Sequence, residues 1–80
     1  MATIDTLREL ILGLGRKNIT AEKLTPDARF FDDLEFDSLN MTELLVLAER
    51  TFNINVEIKE LHDLFTLAQA ADFVDKKMAN

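Results

Sequence analysis

The sequence predicts an all-α chain folded as a small four-helix bundle, three major helices plus one short helix, with a long ordered first loop. Three observations carry that prediction. Apolar residues recur at helical spacing in three separate stretches. No stretch alternates apolar and polar residues as a half-buried strand does. The composition is 48% hydrophobic with only 2 glycines and 1 proline in 80 residues, which suits a compact helical fold over a disordered tail. The length allows a single domain, residues 1–80, near the lower limit at which a core alone holds a chain together.

The first helix is expected from about Ile4 to Leu14, with Thr3 as its N-cap and Asp5 in the first turn, where the helix dipole favours negative charge. Ile4, Leu7, Ile11 and Leu14 share one face beside Leu10, and Gly15 is a C-cap candidate. From Arg16 to Asp37 no period is visible, which is long for an unstructured connection in so small a chain. Ile19, Leu24, Phe30, Phe31 and Leu34 are spread along it, so it is expected to pack onto the helices, with a turn at Thr25-Pro26-Asp27. A second helix follows from Ser38 to Phe52, capped by Asp37 or Ser38. Met41, Leu44, Leu45, Ala48 and Phe52 fall within an arc of about 100° and form its core face. Leu39, Glu43, Val46 and Arg50 form a row on another side, with Thr42 and Glu49 beside it. Asn53 and Asn55 break the pattern, and Val56 to Leu61 reads as a short helix or an extended linker. Thr66 and Gln69 form a capping box for the last helix. Its apolar stripe is Leu67, Ala70, Ala71, Val74 and Met78, and Lys76 and Lys77 lie in its final turn.

Several function classes are excluded or made improbable by counts alone. The chain has no cysteine, so it holds no disulfide, thiolate metal site or cysteine nucleophile. One histidine rules out paired-His zinc sites. No apolar run reaches the roughly 18–20 residues of a membrane span, and no charged-then-apolar leader precedes the first helix. A cytoplasmic protein that does not enter the membrane is therefore expected. The net charge of −6 argues against nucleic acid, which needs clustered Lys and Arg, and suits basic protein partners or solubility. The acids from Asp33 onward are spaced like an EF-hand loop. Ser38 stands where the turn glycine should be and Leu44 where the bidentate Glu should be, so no dedicated metal site is expected. His62 has no sequence feature that ties it to Ser38, and no catalytic residue is assigned.

The most distinctive local feature is Asp37-Ser38-Leu39 at the loop-to-helix junction, preceded by Asp32, Asp33 and Glu35. Unpaired backbone amides and the dipole at a helix N-terminus favour negative charge, so a phosphate ester on the Ser38 oxygen would sit in a favourable field. Asp37 opposes free phosphate by like-charge repulsion. Spacing alone leaves a second reading open, in which Asp-Ser is only a helix cap.

The run Phe36-Asp37-Ser38-Leu39-Asn40-Met41-Thr42-Glu43-Leu44 resembles the signature of acyl carrier proteins. The likeness continues through Ala48-Glu49-Arg50-Thr51-Phe52-Asn53-Ile54 and Thr66-Leu67-Ala68-Gln69-Ala70. The resemblance implies that Ser38 carries a 4′-phosphopantetheine arm, installed from coenzyme A by a phosphopantetheinyl transferase that reads Asp37 and Leu39. The arm's thiol would hold acyl groups as thioesters, and the carrier itself would catalyse nothing. Glu43 and Glu49 would be acidic contacts, and Leu39 and Val46 apolar contacts, for acyl-transferring and chain-elongating enzymes with basic patches. A monomer is expected. Departures are visible. Phe36 stands where the family usually has Gly before Asp-Ser, so it either alters the turn or covers the attachment point. Asn40 replaces a usual acid, and Arg50 interrupts an acidic pair. These changes leave fatty-acid synthesis and specialised polyketide, lipid or siderophore assembly both open. D-alanyl or peptidyl/aryl carriers, or an unmodified acidic interaction module, are the alternatives.

Overall fold

The computed structural model describes residues 2–79. Three α-helices form the frame: α1 (Thr3–Gly13), α2 (Ser38–Phe52) and α3 (Leu67–Ala79). A 3₁₀ helix, Ile58–Asp63, joins α2 to α3, and a single 3₁₀ turn, Ala21–Lys23, interrupts the first loop. No strand occurs among the described residues, only an isolated antiparallel bridge between Arg29 and Thr66. The bundle expected from the periodicity is therefore present, and its short fourth helix is of the tighter 3₁₀ kind.

α1 packs against both α2 and α3. Its start differs from expectation. Ala2 occupies the N-cap position with no side-chain bond, and Thr3 is already helical. The Thr3 hydroxyl donates to Asp75 on α3, so a tertiary contact claims the group that a local cap would have used. At the other end the chain leaves α1 through Gly15 at φ +76°, a left-handed turn that glycine adopts without strain.

The connection from residue 16 to 37 is ordered because its backbone completes α3. The amides of Leu67 and Ala68 open α3 and would otherwise lack partners. They donate to the carbonyls of Ala28 and Pro26 at 3.0 and 2.9 Å, while Phe30 N–H donates to the Phe65 carbonyl at 2.9 Å. The expected turn at Thr25-Pro26-Asp27 closes through Ala28 N–H donating to the Thr25 carbonyl at 3.0 Å. Arg8 clamps the loop to α1 by donating to the Leu24 carbonyl at 2.6 Å.

Ile19, Leu24, Phe30 and Leu34 enter the core as expected, but Phe31 does not. It is 49% exposed while Phe30 is 0% exposed. Once Phe30 points inward in this non-helical stretch, the next side chain emerges on the outer surface. The four expected α2 residues Met41, Leu44, Leu45 and Ala48 are buried, and Phe52 is half-buried against them. In α3 the stripe from Leu67 to Val74 is buried, whereas Met78 is exposed because the last turn runs past the core. The Thr66–Gln69 box forms as read. Gln69 N–H donates to the Thr66 hydroxyl and Thr66 N–H to the Gln69 side-chain oxygen, each at 3.1 Å.

Candidate functional site

The site is built at the first turn of α2. Asp37 is the N-cap, in extended backbone, and its carboxylate accepts from Asn40 N–H at 2.9 Å. The Asn40 side-chain oxygen returns the bond by accepting from Asp37 N–H at 3.1 Å, and it also accepts from the Arg16 guanidinium. Asn40 thus has a local task that a carboxylate could also perform, but with one negative charge fewer beside Ser38. This box settles which residue caps the helix. Asp37 does the capping, and Ser38 is the first helical residue with an exposed side chain. Its carbonyl accepts from the Thr42 hydroxyl at 2.9 Å, but its own hydroxyl enters no hydrogen bond among the described residues. The amides of Ser38 and Leu39 have no intrahelical partner, since the i→i−4 ladder begins with Met41 N–H to the Asp37 carbonyl at 3.1 Å.

Phe36 corrects an expectation. It does not cover Ser38, whereas the turn does accommodate its bulk by keeping it out of the left-handed region. It is 4% exposed and packs against Phe30 with ring centroids 5.7 Å apart. The left-handed residue in this turn is Glu35, at φ +55°. The inward Phe36 anchors the chain two residues before Ser38, with its N–H donating to the Phe30 carbonyl at 2.8 Å.

A cleft of about 340 Å³ opens beside Ser38 between α2 and the 3₁₀ helix. Phe31, Ile58 and Phe65 form its outer apolar wall, Met41, Leu61 and Leu64 its inner side, and Thr42 and His62 complete the lining. Met41, Leu61 and Leu64 also line a much smaller cavity of about 40 Å³ inside the bundle, so they form the partition between surface and interior. Sequence reasoning placed none of Phe31, Ile58, His62 or Phe65 near Ser38. No local signal existed, because their meeting depends on how the 3₁₀ helix docks.

Two of the acidic residues ahead of Ser38, Asp32 and Asp33, are engaged in ion pairs. Arg29 lies 3.2 Å from Asp33 and 3.4 Å from Asp32. The hydrogen bond from Arg29 holds the Asp33 carboxyl below the usual carboxylate range. No group of three or more His, Cys, Asp or Glu converges among the described residues.

On the outward face of α2, Leu39 is 66% exposed, and Glu43, Val46 and Arg50 are exposed along the same row. Glu49 is different. It is half-buried and accepts from Val56 N–H at 3.0 Å, tying the segment after α2 back onto the helix.

The site fits a phosphate-linked group. It offers one unengaged, exposed hydroxyl, free amides at a helix N-terminus, and an adjacent apolar cleft. Comparison with known proteins agrees. The family model described as "Phosphopantetheine attachment site" matches residues 5–74. The acyl carrier protein of Solidesulfovibrio magneticus is 30% identical over 77 residues, covering 96% of each chain. That of Thermobifida fusca is 33% identical over 73 residues, covering 91% of this chain and 90% of the relative. That of Buchnera aphidicola is 38% identical over 60 residues, 75% of each. Fold, site and relatives converge: the chain belongs to the acyl carrier protein family, a carrier and not an enzyme, whose prosthetic group is covalently attached 4′-phosphopantetheine.

Proposed function

We propose that Ser38 is the attachment point of the 4′-phosphopantetheine arm, and that the protein delivers arm-bound acyl groups to partner enzymes of fatty-acid or specialised polyketide and lipid synthesis. The observation that carries this reading is the division of labour at the start of α2. Asp37 and Asn40 complete the cap, so the Ser38 hydroxyl is left exposed and unengaged where a helix N-terminus favours an anion. In the attachment step the Ser38 oxygen forms a bond to the pantetheine-bearing phosphorus of coenzyme A. The bond to the departing nucleotide breaks, and the hydroxyl proton leaves to the transferase. When bound, the arm supplies the thiol that the translated chain lacks.

The chain's own residues present and orient that arm. Asp37 fixes the helix start through its cap, and Leu39 stands exposed one residue beyond as an apolar contact for the transferase. Glu43 and Val46 offer a docking surface to acyl-handling enzymes with basic patches, in keeping with exposed apolar residues beside charge. Glu49 contributes charge from a half-buried position, through a carboxylate already held by the backbone. In this reading the protein works as a cytoplasmic monomer. No helix among the described residues is long and apolar enough to cross a membrane.

Coexpression with a broad-specificity phosphopantetheinyl transferase is expected to add the mass of one phosphopantetheinyl group, and Ser38→Ala to abolish it with the helical circular dichroism unchanged. Wild-type protein left unmodified by a competent transferase would return the chain to an acidic interaction module. Intact-mass analysis from the native cell separates an acyl cargo from a D-alanyl or aminoacyl one.

A further inference from the structure

The cleft beside Ser38 draws its lining from the first loop, from α2, and from the segment that runs through the 3₁₀ helix to Phe65. Among those lining side chains only His62 is ionisable. We infer that His62 is a positioning residue for the prosthetic arm: its protonated imidazole donates to the phosphodiester on Ser38 and lays the proximal arm across the cleft. This rests on the assignment of Ser38 as the attachment point.

The charge balance around the site supports this choice of residue. A phosphodiester carries a permanent negative charge, and here it would sit one residue from the Asp37 carboxylate. Helix amides offset part of that repulsion, and a cation facing them offsets more. Three other cations of this region are paired with carboxylates, and Arg16 is held by a neutral side-chain amide. Arg29 pairs with Asp32 and Asp33, Arg16 donates to Asn40, Lys59 pairs with Glu57, and Lys77 pairs with Glu60. His62 is exposed and lines the cleft from the side opposite α2, among mostly apolar neighbours. The flanking carboxylates are Asp63 and Glu60 on the same 3₁₀ helix, Asp37 on α2, and Asp32 and Asp33 in the loop. All of them remain in His62→Gln, so a pH dependence that they cause survives that substitution.

The test is ³¹P NMR of the unacylated, arm-bearing protein from about pH 5 to about pH 8. A phosphodiester does not itself titrate there, whereas an imidazole does. The phosphorus shift is expected to move in a single step across that interval. In His62→Gln the step should vanish. In His62→Lys, a fixed cation should hold the shift near its wild-type low-pH position throughout. A flat wild-type profile, or a step that survives in His62→Gln, overturns the pairing. Failure of the transferase to add any mass overturns the Ser38 assignment as well, so the two failures are distinguishable.

Discussion

Glu35 shows how one residue can carry strain on behalf of a site. Its φ of +55° lies in the left-handed region, which disfavours a residue with a side chain by about 1–2 kcal/mol. The Glu35 carboxylate recovers little, accepting a single long bond of 3.3 Å from Asn18. The strained geometry follows from its neighbours. Leu34 and Phe36 both point into the core, and the chain must reverse between them to present Asp37 and Ser38. Glu35→Gly should therefore stabilise the fold. Relief of the strain is partly offset by about 0.4–1 kcal/mol of extra unfolded-state entropy, leaving a net gain of roughly 0.5–1 kcal/mol and a Tm several degrees higher. Differential scanning calorimetry checks this; an unchanged or lower Tm would mean that the Asn18 bond outweighs the backbone term. Arg29 does comparable work upstream. Its side chain holds Asp33, whose carboxylate in turn accepts from the Arg29 amide at 2.9 Å, closing the turn that precedes Leu34.

Among the elements, the 3₁₀ helix is the one whose placement makes the cleft, and it is held by a small latch. Glu60 accepts from Glu57 N–H at 3.0 Å and pairs with Lys77 on α3 at 3.0 Å. The Lys77 ammonium also lies 5.5 Å from the centroid of the Phe73 ring. The backbone bond from Glu57, and then the Lys77 bond, hold the Glu60 carboxyl below its ordinary range. A group with a depressed folded-state value stabilises the fold above the unfolded value and loses that contribution as the pH falls through the folded one. Wild-type protein should therefore lose stability faster than Glu60→Gln as the pH drops through and below the ordinary carboxylate range. Glutamine keeps an oxygen for Glu57 N–H, so the comparison isolates the charge. Urea denaturation midpoints across that range are the measurement, and parallel profiles would show that the latch contributes nothing. Arg50 lies on a different element and has no ion pair among the described residues. It tempers the negative face of α2.

Across the whole molecule, 15 acidic residues face 9 basic ones, and no polar or charged side chain is buried among the described residues. The charge therefore lies at the surface, where salt screens it. Several exposed ion pairs, such as Lys76–Asp72 at 3.0 Å, bring little stability in water. The dominant long-range term is self-repulsion from a net charge of −6. Raising the ionic strength to about 0.15 M shortens the screening length to about 8 Å and should raise the melting temperature. A thermal melt series in sodium chloride tests this; no rise would mean that local pairing already offsets the repulsion. Binding of a basic partner should stabilise the chain in the same sense, because it removes the same repulsion.

The helices were legible because their determinants are local. Periodicity, the Thr66–Gln69 box and the α2 cap each act within one or two turns; the first two appear where the sequence predicts them, and the cap falls on Asp37, one of the two residues the sequence offered. Asn53 ends α2 in a left-handed conformation for a reason equally local, since asparagine tolerates it. Ser38 could be singled out for the same reason: its place at a helix start, and its resemblance to a known signature, lie within nine consecutive residues. Local patterns could not say which of two adjacent phenylalanines turns inward, that Thr3 bonds to α3 instead of capping α1, or that Glu35 and not Phe36 takes the special backbone geometry. Those outcomes depend on which element lies against which. The sequence by itself determined the helices and the candidate serine. Tertiary packing alone decided what surrounds that serine, because a cleft belongs to the gap between elements, and it puts His62 in the lining of the same cleft as Ser38 from a part of the chain with no local relation to it.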